Sequence, residues 1–113
     1  MRTEDYVQAA LDEARKSPMR CAHGCVVVKR GRIIGQGHNT YAYQHGHRRS
    51  THAEVAAAKS LPNLEDLHGA QMYVVRLDRR RGVGLLSFPC HGCRRFLNAM
   101  TQRYGLGQVF YSS

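Results

Sequence analysis

No apolar run in the 113 residues approaches the ~20 that a membrane-spanning helix needs, which excludes a chain that crosses a bilayer by helices. Repeats, low-complexity tracts and an interdomain linker are also missing, so nothing points to a fibrous or disordered class. Met1 to Asp5 has no apolar run behind it, so no secretory leader is expected and a cytoplasmic chain is. In that compartment the four cysteines are metal ligands or free thiols rather than disulfides. The length allows one domain, 1–113, which buries roughly two-thirds of the surface exposed by its unfolded chain. Acidic residues are scarce: 8 Asp and Glu stand against 17 Lys and Arg, a formal charge of +9. The excess is clustered at Arg48-Arg49, Arg79-Arg80-Arg81 and Arg94-Arg95. Such a field attracts phosphates, nucleic acid or anionic membrane; of these a phosphorylated or polyanionic partner is expected, and a membrane partner is not.

Periodicity divides the chain into seven elements. Tyr6, Val7, Ala10, Leu11 and Ala14 have helical spacing and end before Ser17-Pro18. Cys25 to Lys29 reads as a Val-rich strand, Arg30-Gly31 as a turn, and Ile33 to Gly37 as the returning strand of a hairpin. Residues 38–50 carry no period and read as a loop. A short Ala-rich helix is expected from His52 to about Ser60, and a third strand from Met72 to Leu77. An Arg-rich loop over 78–84 then leads to a helix from Cys90 to about Tyr104, and Val109 to Tyr111 closes the chain as a fourth strand. A hairpin followed by two crossover units implies a mixed sheet with helices packed on it.

Two segments carry chemistry, Thr51-His52-Ala53-Glu54 and Pro89-Cys90-His91-Gly92-Cys93, and each opens an expected helix. Cys90 and Cys93 are three apart and share one helical face at its first turn. A helix start favours negative charge, which suits thiolates. With His52 alongside, the set becomes Cys2His, and three protein ligands leave the fourth tetrahedral position of a zinc ion to water. Glu54, two residues beyond His52, is then placed to carry protons between that water and a substrate. Other readings of the same residues stand beside this one. Thr51-x-x-Glu54 is also a capping box, and Cys90-x-x-Cys93 is also a redox pattern. A closed structural site would take His91 or Cys25 as a fourth ligand. Cys25 is otherwise expected in the core and Cys21 in a loop, while His23, just before the hairpin, is expected on the surface with a pocket-facing place as the alternative. His38, Tyr41, Tyr43, His45, His47, Arg48 and Arg49 have the texture of a surface that stacks bases and grips phosphate.

H-x-E with a downstream P-C-x-x-C is the signature of zinc deaminases. With VVVKRGRIIGQGHN, THAE, PCHGC and GLGQVFYSS in that order, the chain resembles the cytidine/deoxycytidylate deaminase superfamily over nearly its whole length. The resemblance implies an α/β fold, a cytidine-deaminase-like α/β/α sandwich with a mixed sheet of four strands, or five, that is short at its C-terminus. It implies one zinc per chain on His52, Cys90 and Cys93, with Glu54 as the proton carrier. It also implies that Asn39 contacts the substrate sugar, and that the backbone at Ala53 and around Ser87 meets the base edge. His in the first ligand position resembles the deoxycytidylate, tRNA-adenosine and polynucleotide branches. Phe88, where other branches often have Glu, Ser or His, leaves the choice of base open. The expected reaction is hydrolytic conversion of cytosine to uracil in a nucleotide or single-stranded nucleic acid. Adenosine deamination in RNA or tRNA, and a basic nucleic-acid-binding module with a structural zinc, are the alternatives. A second copy of the chain is a further candidate partner.

Overall fold

The structure is a computed structural model that describes residues 3–19, 21–44, 47–78, 82–85 and 91–111, with side chains for 3–19, 21–41, 51–77 and 94–111. The first helix, α1 (Thr3–Arg15), leads into an antiparallel hairpin of β1 (Cys21–Lys29) and β2 (Arg32–His38). Arg30 and Gly31, at φ 52° and 75°, make the two-residue turn with the positive φ values that match strand twist. A second, separate hairpin follows, β3 (Thr40–Gln44) and β4 (His47–Thr51). Then come α2 (Ala53–Lys59), a 3-10 turn at Leu64–Leu67, β5 (Gln71–Asp78), β6 (Gly82–Leu85), α3 (His91–Tyr104) and β7 (Val109–Tyr111).

In the main sheet β1 lies between β2 and β5, antiparallel to both. The far edge of β5 is shared. Met72 to Val74 pair with β7 in parallel, and Arg76 to Asp78 pair with β6 antiparallel. Among the described residues the mixed sheet is thus four positions wide and contains five strands.

Strand alternation sends β1 and β5 side chains to two helical layers. Ala22, Val26, Val28, Tyr73, Val75 and Leu77 pack with Tyr6, Ala10, Leu11 and Ala14 of α1. Cys25, Val27, Met72 and Val74 pack with Ala53, Ala57 and Ala58 of α2 and Leu97 and Met100 of α3. Glycine sets the approach on each side. A Cβ at Gly24 would run into the carbonyl of Ala10 and the amide of Ala14, and one at Gly37 into the amide of Ala57. Ser60 then fixes the end of α2 to β2, accepting from the Gln36 amide at 3.0 Å and donating to the Ala57 carbonyl at 2.6 Å. The α/β/α layering therefore agrees with the expected architecture, with α2 and α3 side by side on one face.

Three expectations need correction. The stretch 38–50 is strand at both ends rather than loop, because Thr40 to Gln44 find cross-strand partners in His47 to Thr51. Gly82–Leu85 is likewise strand, formed by pairing with the C-terminal half of β5. The first strand begins at Cys21, so Cys21 sits in the sheet and not in a loop. No helix among the described residues is long and apolar enough to cross a membrane.

Candidate active site and metal centre

The start of α2 is set by His52, not Thr51. Thr51 still pairs with Thr40 in the second hairpin, and His52 takes the N-cap place with extended backbone (φ −78°, ψ 152°). The Ala56 amide donates to the His52 carbonyl at 2.9 Å, while the His52 side chain makes no cap bond. The capping-box reading therefore fails, since it needs Thr51 at the N-cap and Glu54 three residues on. Glu54 falls instead in the second helical position, 4% exposed, beside the fully buried Ala53. A carboxylate in the first turn of a helix meets unpaired amides and the positive end of the helix dipole.

The sheet supplies the floor. Residues 21, 23, 25 and 27 share one side of β1, so His23 follows Cys25 and Val27 onto the α2/α3 face. Its pairing partner is Arg76, which follows Met72 and Val74 onto the same face. Half-buried, His23 has its pKa lowered first by burial, then raised in part by the Glu54 carboxylate and lowered by Arg76 and His52. The expectation of a surface histidine is thus corrected, since its ring feels both His52 and Glu54. Cys25 is fully buried in the core. Burial pushes its thiol well above the ordinary value, and the Glu54 charge pushes the same way.

Asn39, 7% exposed, closes the end of β2 against β1. Its Oδ1 accepts from the His23 amide at 2.8 Å, and its Nδ2 donates to the Cys21 carbonyl at 2.8 Å and lies 3.4 Å from His23 Nδ1. His38, grouped above with the stacking residues, instead points to α1 and lies 3.0 Å from Glu13 Oε1 through Nδ1. Tyr41 is exposed.

On the opposite helix, Cys93 lies in the first turn of α3. Cys90 and Ser87 fall outside the described residues, as do His45 and the Arg79–Arg81 run. Among the described residues no three His, Cys, Asp or Glu groups come together to hold a metal. The residue types at these helix starts are ones that zinc takes. An imidazole not spent on capping and a cysteine in a helical first turn sit at the starts of two helices that pack on one face. A cleft of about 430 Å³ lined by Glu65, His68, Thr101 and Arg103 lies by the C-terminal end of α3 and includes none of these groups.

The family model described as the cytidine and deoxycytidylate deaminase zinc-binding region matches residues 1–108. The chain belongs to this family. A tRNA-specific adenosine deaminase of Streptococcus pyogenes (serotype M18, strain MGAS8232) is 44% identical over 54 residues, covering 46% of this chain and 33% of that protein. The match thus spans about a third of the curated relative. Among solved structures, a cytidine deaminase from Burkholderia pseudomallei superimposes with a TM-score of 0.68 at 20% identity, covering 99% of this chain and 85% of that one. A dCMP deaminase from the cyanophage S-TIM5 gives 0.59 at 19% identity, covering 97% and 99%. At these identities the structural likeness speaks for the fold. The deaminase family accounts for the zinc pattern and the shared α/β/α layering. It was Arg76 that the sequence reading missed as a member of this end of the sheet, while His23, open to a pocket-facing place, lies there too. The available signal was parity, since continuing the Met72–Val74 alternation forwards reaches Arg76.

Proposed function

We propose that this chain is a zinc-dependent hydrolytic deaminase that replaces the exocyclic amine of a nucleobase with oxygen. The observation that carries the proposal is Glu54, buried in the first turn of α2 two residues after His52, in a chain of the deaminase family. His52, Cys90 and Cys93 would hold one zinc ion per chain. Zinc supplies a Lewis acid that brings the pKa of water at the metal down to roughly 7. Glu54 accepts a proton from the attacking water at its carboxylate. It then delivers protons to ring nitrogen N3 and to the amine at C4, so that cytosine and water become uracil and ammonia. Burial of Glu54 beside the fully buried Ala53, with its charge felt at Cys25, limits the access of bulk water to that transfer. Asn39 braces the start of β1, with the sugar of the substrate read as lying along that ledge, and the backbone at Ala53 and Ser87 as meeting the base edge.

Adenine in RNA is the second reading, favoured by the 44% identity over 54 residues to a protein named for tRNA adenosine deamination. The test is ammonia release from deoxycytidine, deoxycytidine monophosphate, a cytosine-containing oligonucleotide and tRNA, with zinc measured by elemental analysis. Cytosine turnover with zinc bound, and loss of metal in Cys93→Ser, is the expected result. Turnover of tRNA alone selects adenine. A zinc-loaded protein inert toward all four substrates sinks the deaminase reading and leaves a nucleic-acid-binding module with structural zinc.

A further inference from the structure

Arg76 has no part in the proton transfers assigned to Glu54, yet it occupies the floor of the same end of the sheet. It stands opposite His23 in the β1–β5 register, and its side chain runs diagonally toward the strand end, with Nη2 3.9 Å from Sγ of the exposed Cys21. The guanidinium therefore spans from a buried root to an exposed rim. At the root, Nε is buried and finds no acceptor. Among the described residues Arg76 joins no ion pair. His23, opposite it in the register, offers no counter-charge, since an imidazole is either neutral or cationic. A partly buried guanidinium with an idle donor is costly to leave unpaired, and its planar fork matches phosphate oxygens.

We propose that Arg76 is an anion subsite that takes a phosphate of the substrate, with His23 and Cys21 as the ledge between that subsite and Glu54. The proposal rests on the deaminase reading and adds a substrate class to it: a phosphorylated nucleoside rather than a free nucleoside or base. The strand order supports it. Asn39 follows β2, His23 lies on β1 and Arg76 on β5, so the three lie side by side across adjacent strands at one end of the sheet. A base beside Glu54 leaves its sugar and phosphate to run across β1 toward Arg76. The net charge of +9 draws anions to the same protein.

The test uses zinc-loaded Glu54→Ala protein, so that ligands are bound and not consumed. Affinities for deoxycytidine, deoxycytidine monophosphate and a trinucleotide with a central cytosine are measured by calorimetry, with and without Arg76→Gln or Arg76→Lys. The phosphate preference is expected to fall about tenfold or more in Arg76→Gln, as for loss of one charge-assisted contact, with part retained in Arg76→Lys. A loss seen with the monophosphate assigns a free nucleotide, and one seen only with the trinucleotide assigns a strand. Each ratio is taken within one variant, so general damage cancels. Equal affinity for all three ligands before Arg76 is changed, or a phosphate preference that survives Arg76→Gln, overturns the subsite. Failure of the deaminase reading is seen separately, as wild-type protein that releases no ammonia yet keeps an Arg76-dependent phosphate preference.

Discussion

On the α1 face the apolar side chains of β1 and β5 continue to Ala22 and Leu77, and the carboxylate buried there, Glu13, is held by Lys16 at 2.8 Å and His38 at 3.0 Å. On the α2/α3 face the same strands turn polar after Cys25 and Val74, with His23 and Arg76 in the next inward positions and Arg76 Nε left without an acceptor. Both faces belong to the same two strands, so propensity cannot explain the difference. The α1 face is finished as a core. The other is a core for most of its length and a polar, unsatisfied surface at the end where α2 begins. Buried polar groups without partners are rare in native proteins, and such a break in local consistency is expected where function is placed.

The largest break in this comparison is expected from Glu54→Ala. Turnover should fall by about 10²–10⁴-fold, with zinc content and melting temperature close to wild type. Ammonia release per zinc-loaded chain measures it, and a variant keeping a tenth of the activity excludes Glu54 as the proton carrier. On the finished face the corresponding break is structural. Gly24→Ala puts a methyl group into the Ala10 carbonyl and the Ala14 amide, backbone atoms that cannot rotate away. Urea unfolding should show a loss of about 1–3 kcal/mol, or more if α1 detaches. A neutral result would mean that α1 does not lie against β1 as described.

Asn39 lies where the two regions meet and separates a scaffold role from a substrate role. Its amide satisfies two groups of β1, the His23 amide and the Cys21 carbonyl. Asn39→Ala should therefore cost about 1–3 kcal/mol in urea unfolding of ligand-free protein, because those groups lose buried partners. Reduced substrate affinity with unchanged stability would instead make Asn39 a substrate contact alone.

Much of this was legible in the chain. α1, the β1–β2 turn, α2, β5, α3 and β7 each carry a period or a turn signal, and Cys25 in the core followed from the apolar run it opens. The β3–β4 hairpin was not legible, because its Tyr, His and Arg residues give an apolar strand pattern little to match, and β6 is only four residues, two of them Gly. β6 exists through its pairing with β5, and that contact is tertiary. The His52–Glu54 and Cys90–Cys93 segments stood out because each is local. Arg76 did not, because its place opposite His23 depends on the register of two strands far apart in the chain.

Acidification is expected to weaken the two regions at different pH, and this is the smallest of the effects. Folded His23 has its pKa lowered from 6.5, mainly by burial, with Arg76 and His52 acting the same way and Glu54 opposing. Below that value the unfolded chain takes up a proton that the folded one declines, so stability falls as pH drops through and below 6.5. Glu13 behaves differently in origin and alike in sign. Burial alone would raise its pKa, but the bonds and charges of Lys16 and His38 outweigh it, and the net shift is downward from 4.5. Its contribution is present above that value and is lost as pH falls further. Urea midpoints of metal-free protein, followed from neutrality to about pH 3, should therefore decline in two stages. His23→Asn should remove the upper stage and leave the lower, while Glu13→Gln should do the reverse. A single decline that neither substitution alters would mean that the two faces do not respond to acid through these groups.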